Sequence, residues 1–87
     1  MDALLRDVVR SLVAEPDKVV IQQHVGEAIT MLEISTGPND AGKVIGKGGL
    51  TISSLRHLFS CIARNRKTRV SIEVKDIIRT QNEKDNT

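Results

Sequence analysis

The chain has 87 residues, room for one small domain with a modest core and not for two. Hydrophobic residues at 39% and charged residues at 28% describe a soluble globular chain, and no apolar run approaches the roughly 18 residues that cross a bilayer. The single cysteine, Cys61, excludes an internal disulfide and a Cys-based metal site, and the formal charge is only +2.

In chain order, Asp2 is placed to cap a helix in which Leu4, Leu5, Val8, Val9, Leu12 and Val13 recur at helical spacing until Glu15-Pro16. The opening residues lack the basic start and apolar stretch of a signal peptide, so a cytoplasmic chain is expected. Val19 to Val25 is rich in β-branched residues, Gly26-Glu27 reads as a turn, and Ala28 to Ser35 as a second strand, predicting an antiparallel hairpin. Thr36-Gly37-Pro38-Asn39-Asp40 is a break with capping chemistry, followed by one or two helical turns over Ala41 to Ile45. A longer helix is predicted from Leu50 to Arg64, with Ile52, Leu55, Leu58, Phe59 and Ile62 on one face, Arg56 and His57 off it, and Asn65 as its stop. Val70, Ile72 and Val74 alternate with Ser71 and Glu73 as a strand with one buried face. The predicted order is α-β-β-α-α-β, an α+β domain over residues 1–78. Residues 79–87 hold nothing apolar to bury and read as a frayed tail.

Between the two later helices stands Val44-Ile45-Gly46-Lys47-Gly48-Gly49-Leu50-Thr51-Ile52. Glycines permit positive φ and close backbone approach, Lys47 supplies charge, and the helix N-terminus that follows attracts anions. A Walker A loop is excluded because only three residues separate Gly42 from Gly46 and Lys47 precedes Gly48 rather than a hydroxyl. A dinucleotide fingerprint is excluded because the last glycine of G-x-G-x-x-G is missing. What remains is a GXXG loop, Gly46-Lys47-Gly48-Gly49, of the kind that clamps the backbone of about four nucleotides of single-stranded nucleic acid. As a bare glycine pair it would equally serve as a helix-to-helix turn.

Charge supports the binding reading. From Ala41 to Ile72 there is no acid, while Lys43, Lys47, Arg56, Arg64, Arg66, Lys67 and Arg69 give seven positive charges. The other six Lys and Arg share the remaining chain with all eleven Asp and Glu, a net of −5. Such polarity is the footprint of a polyanion-binding face, although a basic stretch alone also fits a solvated helix surface. Phe59 is the only aromatic residue, so recognition by exposed aromatic platforms, as in RRM domains and OB-folds, is excluded.

The flanks extend the loop to V-I-G-x-x-G-x-x-I, with Val44-Ile45 before it and Ile52 after it. The chain here resembles the small bacterial single-KH proteins of the KhpA type, whose signature is similar to G-K-V-I-G-K-x-G-R-T-I. The resemblance runs from about Ala3 to Val74. Leu50 departs from it, standing where a basic residue is usual. The resemblance implies a type II KH domain, three helices laid on one face of a mixed three-stranded sheet, and an RNA chaperone or post-transcriptional regulator that binds single-stranded RNA. It implies that Lys43, Val44, Ile45, Gly46, Lys47, Gly48, Gly49, Leu50, Ile52 and Arg56 form the RNA site. Val44, Ile45, Ile52 and Leu55 are its candidate groove floor, with core packing the alternative role and the better fit for Leu55. Arg64, Arg66, Lys67 and Arg69 form a second basic cluster that either extends the RNA path or serves solubility. A homodimer, or a heterodimer with a larger KH-containing RNA-binding protein, is also implied. A domain that mainly docks another protein is the alternative function.

No catalysis is expected. His24 and His57 have no neighbour at metal-ligand spacing, Cys61 reads as a buried structural thiol, and no paired carboxylates frame a pocket. Accordingly no metal, cofactor, small-molecule substrate or membrane partner is expected.

Overall fold

The apolar alternation of the strands and the 3.6-residue period of the helices meet on a single face. In the computed structural model, which describes residues 1–75, the chain forms α1 (Asp2–Arg10), β1 (Val20–Val25), β2 (Thr30–Ser35), α2 (Ala41–Ile45), α3 (Leu50–Asn65) and β3 (Val70–Val74), with short 3₁₀ turns at Pro16–Lys18 and Lys47–Gly49. β2 is central, antiparallel to β1 from Val20↔Ser35 to Val25↔Thr30 and parallel to β3 from Thr30↔Val70 to Ile34↔Val74. A parallel neighbour requires a crossover, and α2 and α3 supply it. The glycine loop therefore lies at one end of α3 and the α3–β3 turn at the other, beside the start of β2.

Leu32 and Ile34 of β2 and Ile72 and Val74 of β3 face Leu5 and Val9 of α1, Val44 of α2, and Ile52, Leu55 and Phe59 of α3. Phe59 is the largest fully buried side chain, and burying one such group contributes about 1.5–3 kcal/mol. The helices thus cover one face of an α+β sheet in the type II KH order, as expected. The opposite face is mixed, with Val20 and Met31 exposed on it beside His24, whose Nε2 lies 3.5 Å from Glu33 Oε1.

The structure corrects several boundaries. Helix α1 ends at Arg10 instead of reaching Glu15, and Asp2 is its first helical residue, making no capping bond. Ser11 Oγ donates back to Asp7 O at 3.0 Å, and beyond it the Asp40 carboxylate accepts the Ala14 and Glu15 N–H groups at 3.2 and 2.9 Å. Those amides are drawn out of the helix by a partner 26 and 25 residues away in sequence. The strands begin at Val20 and Thr30 rather than Val19 and Ala28, because Gly26 N–H reaches Ile29 O at 2.9 Å and makes the turn longer. Helix α3 runs one residue past Arg64, to Asn65. Leu58, expected on its buried face, is 52% exposed, and Cys61, expected to be buried, is exposed. The apolar stripe of α3 is narrower than the sequence suggested, because Phe59 and Ala63 fill the space over the sheet. The expected tail over 79–87 and the domain limit at 78 lie outside the described residues.

Among the described residues Asp40 is the buried polar side chain, 1% exposed. Burial raises its pKa, but the Glu15 and Ala14 amides and Lys43 outweigh that, and its pKa lies below the ordinary value of 3.8. A depressed folded-state pKa stabilises the fold fully above the ordinary aspartate value, and that stabilisation is lost as pH falls through the depressed one. Asp40→Asn is therefore expected to lower the unfolding midpoint at pH 7 and to flatten the acid limb of stability against pH. Thermal melts from pH 7 to about pH 2 check this, and an unaltered acid limb would remove Asp40 from the account.

Candidate nucleic-acid interface

The Asp40 connection fixes where α2 starts, and α2 is short because Gly46 ends it. Gly46 N–H bonds to Gly42 O at 2.8 Å and Gly49 N–H to Gly46 O at 3.0 Å, so the loop is one tight turn. Gly46 has φ +79° and ψ +166°, a region open essentially only to glycine. A Cβ there would also stand 2.8 Å from Thr51 N, so the loop closes directly on the first turn of α3. Gly48 has φ +65° and Gly49 +78°, yet a Cβ at either would meet nothing within 4 Å. Gly46 is thus glycine for closure, and the other two are glycine for their conformation and an open approach.

Lys47 and Gly48 are exposed at the tip, and the 16-residue α3 directs its N-terminus to the same place. Lys47 has no ion pair among the described residues. Lys43 does: its Nζ lies 3.4 Å from Asp40 Oδ1, which ties part of its charge to the fold. Leu50, in the place of the usual basic residue, is 71% exposed beside the loop. Val44, Ile52 and Leu55 are buried in the core beneath, and Ile45 is partly buried against them. Of the apolar candidates, Ile45 and Leu50 therefore reach the surface.

Arg56 lies off the buried face of α3, and its Nε donates to Ile72 O of β3 at 3.1 Å. β3 is an edge strand, so this bond draws α3 and the sheet edge together and leaves the guanidinium's other donors outward. The sequence gives no signal for it, because the acceptor is a backbone carbonyl. Arg64, Arg66, Lys67 and Arg69 gather at the α3–β3 turn, a helix length from the glycine loop. Asp40 was missed as well: it stands where a cap for α2 is expected, but its side chain makes no capping bond and faces the chain after α1.

A mixed three-stranded sheet covered on one face by helices, with a GXXG loop joining the last two, defines a KH domain. The family described as KhpA/KhpB, KH domain, matches residues 2–74, and the chain belongs to that family. It is 36% identical over 74 residues to the RNA-binding protein KhpA of Clostridium acetobutylicum, covering 85% of this chain and 99% of that one. The RNA-binding protein KhpA of Halalkalibacterium halodurans is 36% identical over 76 residues, 87% of this chain and 100% of its own. That of Treponema pallidum is 35% identical over 75 residues, 86% and 94% respectively.

Proposed function

We propose that this protein binds single-stranded RNA by its backbone, with the Gly46-Lys47-Gly48-Gly49 loop as the clamp, and acts on transcripts as an RNA chaperone or post-transcriptional regulator. The observation that carries the reading is the open tip of the loop: a would-be Cβ at Gly48 or Gly49 meets nothing within 4 Å beyond its chain neighbours, and Lys47, without an ion pair among the described residues, stands between them and Gly46. A phosphate can approach this backbone closely, with the α3 N-terminus behind it. Ile45 and Leu50 offer apolar contact to the bases, and Arg56 offers donors farther along α3. Lys43, Val44 and Ile52 contribute by holding the loop's two flanks. The role is binding without a catalytic step, and the relatives' shared name, RNA-binding protein KhpA, supports the choice of ligand.

Because about four nucleotides give modest affinity, a second module would raise it through effective concentration. Self-association, or pairing with a larger KH-containing RNA-binding protein, belongs to the same proposal, as does a cytoplasmic location. Among the described residues no helix is long and apolar enough to cross a membrane.

The test is binding of a short fluorescent single-stranded RNA across a salt series, by wild type and by the folded Lys47→Asp, Gly48→Asp variant. Binding that the variant loses supports the clamp, and no binding by wild type overturns it. Leu50→Arg adds a charge where the loop meets α3. It is expected to tighten RNA binding several-fold and to steepen the salt dependence by about 0.7 in log–log slope, the value for one further phosphate contact on a single strand. Unchanged binding would mark Leu50 as a neutral surface position.

A further inference from the structure

At the end of α3 remote from the glycine loop, Ser60 and Arg64 of the helix, Thr68, Arg69 and Val70 after it, and Ile29 ahead of β2 line a cavity of about 460 Å³. That volume lies in the range of about 300–1,000 Å³ common to ligand pockets. Its lining joins two guanidinium groups and two hydroxyls to apolar walls, which suits a phosphate attached to a flat ring. Thr30 N–H bonds to Arg69 O at 3.0 Å and fixes the backbone of this wall to the sheet.

The basic residues here are not explained by the fold. Among the described residues, Arg64, Arg66, Lys67 and Arg69 have no ion pair. Nor do they cap α3, whose last carbonyls are taken by backbone donors: Lys67 N–H to Arg64 O at 3.0 Å and Thr68 N–H to Ala63 O at 2.9 Å, the paired bonds of a Schellman ending. The left-handed position in that ending normally belongs to glycine, yet Lys67 occupies it at φ +59°. A charge stands where a glycine would be less strained. Arg56, Ser60 and Arg64 are spaced four residues apart, so they form one stripe along α3 toward the cavity.

We propose that this cavity is a second nucleotide-binding site, taking a nucleotide of the same RNA strand beyond those held at the glycine loop. The proposal rests on the RNA-binding reading of that loop. The two sites are separated by the length of α3, about 24 Å at 1.5 Å per residue. They share the acid-free window, with Arg56 between them.

The experiment compares RNAs of about four nucleotides and of about two to three times that length. It uses wild type, Arg64→Glu/Arg69→Glu, and a charge-matched Arg6→Glu/Arg10→Glu control on α1, with circular dichroism confirming folding. In wild type the longer RNA should bind at least about tenfold more tightly, because a linked second contact adds through effective concentration. The cavity variant should lose that gain and keep most of its affinity for the short RNA, while the α1 control keeps both. A gain that survives in the cavity variant, or is lost equally in the control, overturns the proposal.

Amide NMR separates the ligand's sources. Shifts at Thr68, Arg69 and Val70 with the longer RNA, but not with the short RNA or with adenosine monophosphate, are expected. Shifts with the monophosphate alone would assign the cavity to a free nucleotide and overturn the RNA path. Failure of the short RNA to bind wild type, with cavity shifts from the long one, would refute the glycine-loop clamp and leave the cavity standing.

Discussion

RNA binding by the Lys47→Asp, Gly48→Asp variant is expected to fall by about 10- to 100-fold, the loss of one charge-assisted contact at about 1.5–3 kcal/mol. The geometry allows this to be read as a loss of binding rather than of folding. Lys47 is exposed and has no ion pair among the described residues. A Cβ at Gly48 would meet nothing within 4 Å, so the cost is limited to its φ of +65°. For an aspartate, which tolerates the left-handed region better than most residues, that cost is about 1 kcal/mol. In a domain of this size it lowers the unfolding midpoint by about 4–8 °C. The salt dependence is the more specific readout. Wild type should lose affinity with a log–log slope of about −0.7 per phosphate contact, and the variant should show a shallower one. Equal affinities and equal slopes in two folded proteins would place the RNA elsewhere and leave the loop as a helix-to-helix turn.

The parts of the fold that depend on local pattern were legible in the sequence. β3 follows the alternation of Val70, Ile72 and Val74 residue for residue, and α2 has its expected limits of Ala41 and Ile45. The glycine loop was legible for the same reason, since positive φ at Gly46, Gly48 and Gly49 is written in the residue type. What depends on distant partners was not. Nothing near Ala14 and Glu15 shows that Asp40 will take their amides, so the periodicity of Leu12 and Val13 promised a longer helix. Arg56 gave no sign of its bond to Ile72 O, and Lys67 is hidden because a left-handed lysine has no sequence signature. Leu58 and Cys61 were misplaced on α3 because a periodic pattern tells which residues share a face but not how wide a face the neighbouring layer covers. At the candidate site, the charged tip was readable from Lys47 and the glycines. Which apolar residues stay accessible beside it was decided by packing: Val44 and Ile52 went to the core and Ile45 stayed partly outside.

Gly46→Ala is expected to be the most destabilising single methyl addition in the loop, because two independent costs coincide there. The first is conformational: φ +79° with ψ +166° lies where only glycine is comfortable, worth about 1–3 kcal/mol for another residue. The second is steric. The new Cβ would overlap the Thr51 hydroxyl and approach Thr51 N to 2.8 Å, and a backbone atom at the start of α3 cannot swing aside as a side-chain tip can. Overpacking of this kind adds about 1–3 kcal/mol. Their sum, about 2–6 kcal/mol, corresponds to a fall of at least roughly 10 °C in the unfolding midpoint of a domain this small. Gly48→Ala is the internal control, since it has the positive φ but no neighbour within 4 Å, and about 1–2 kcal/mol is expected. Thermal melts of the two variants separate the contributions. Removing the hydroxyl and methyl with Thr51→Ala should recover only part of the Gly46→Ala loss, because the contact with the Thr51 backbone remains. Full recovery would mean the side chain alone sets the limit. Equal losses from Gly46→Ala and Gly48→Ala would mean the loop does not close on α3 as tightly as this geometry requires, and the proposed phosphate clamp would lose its structural basis.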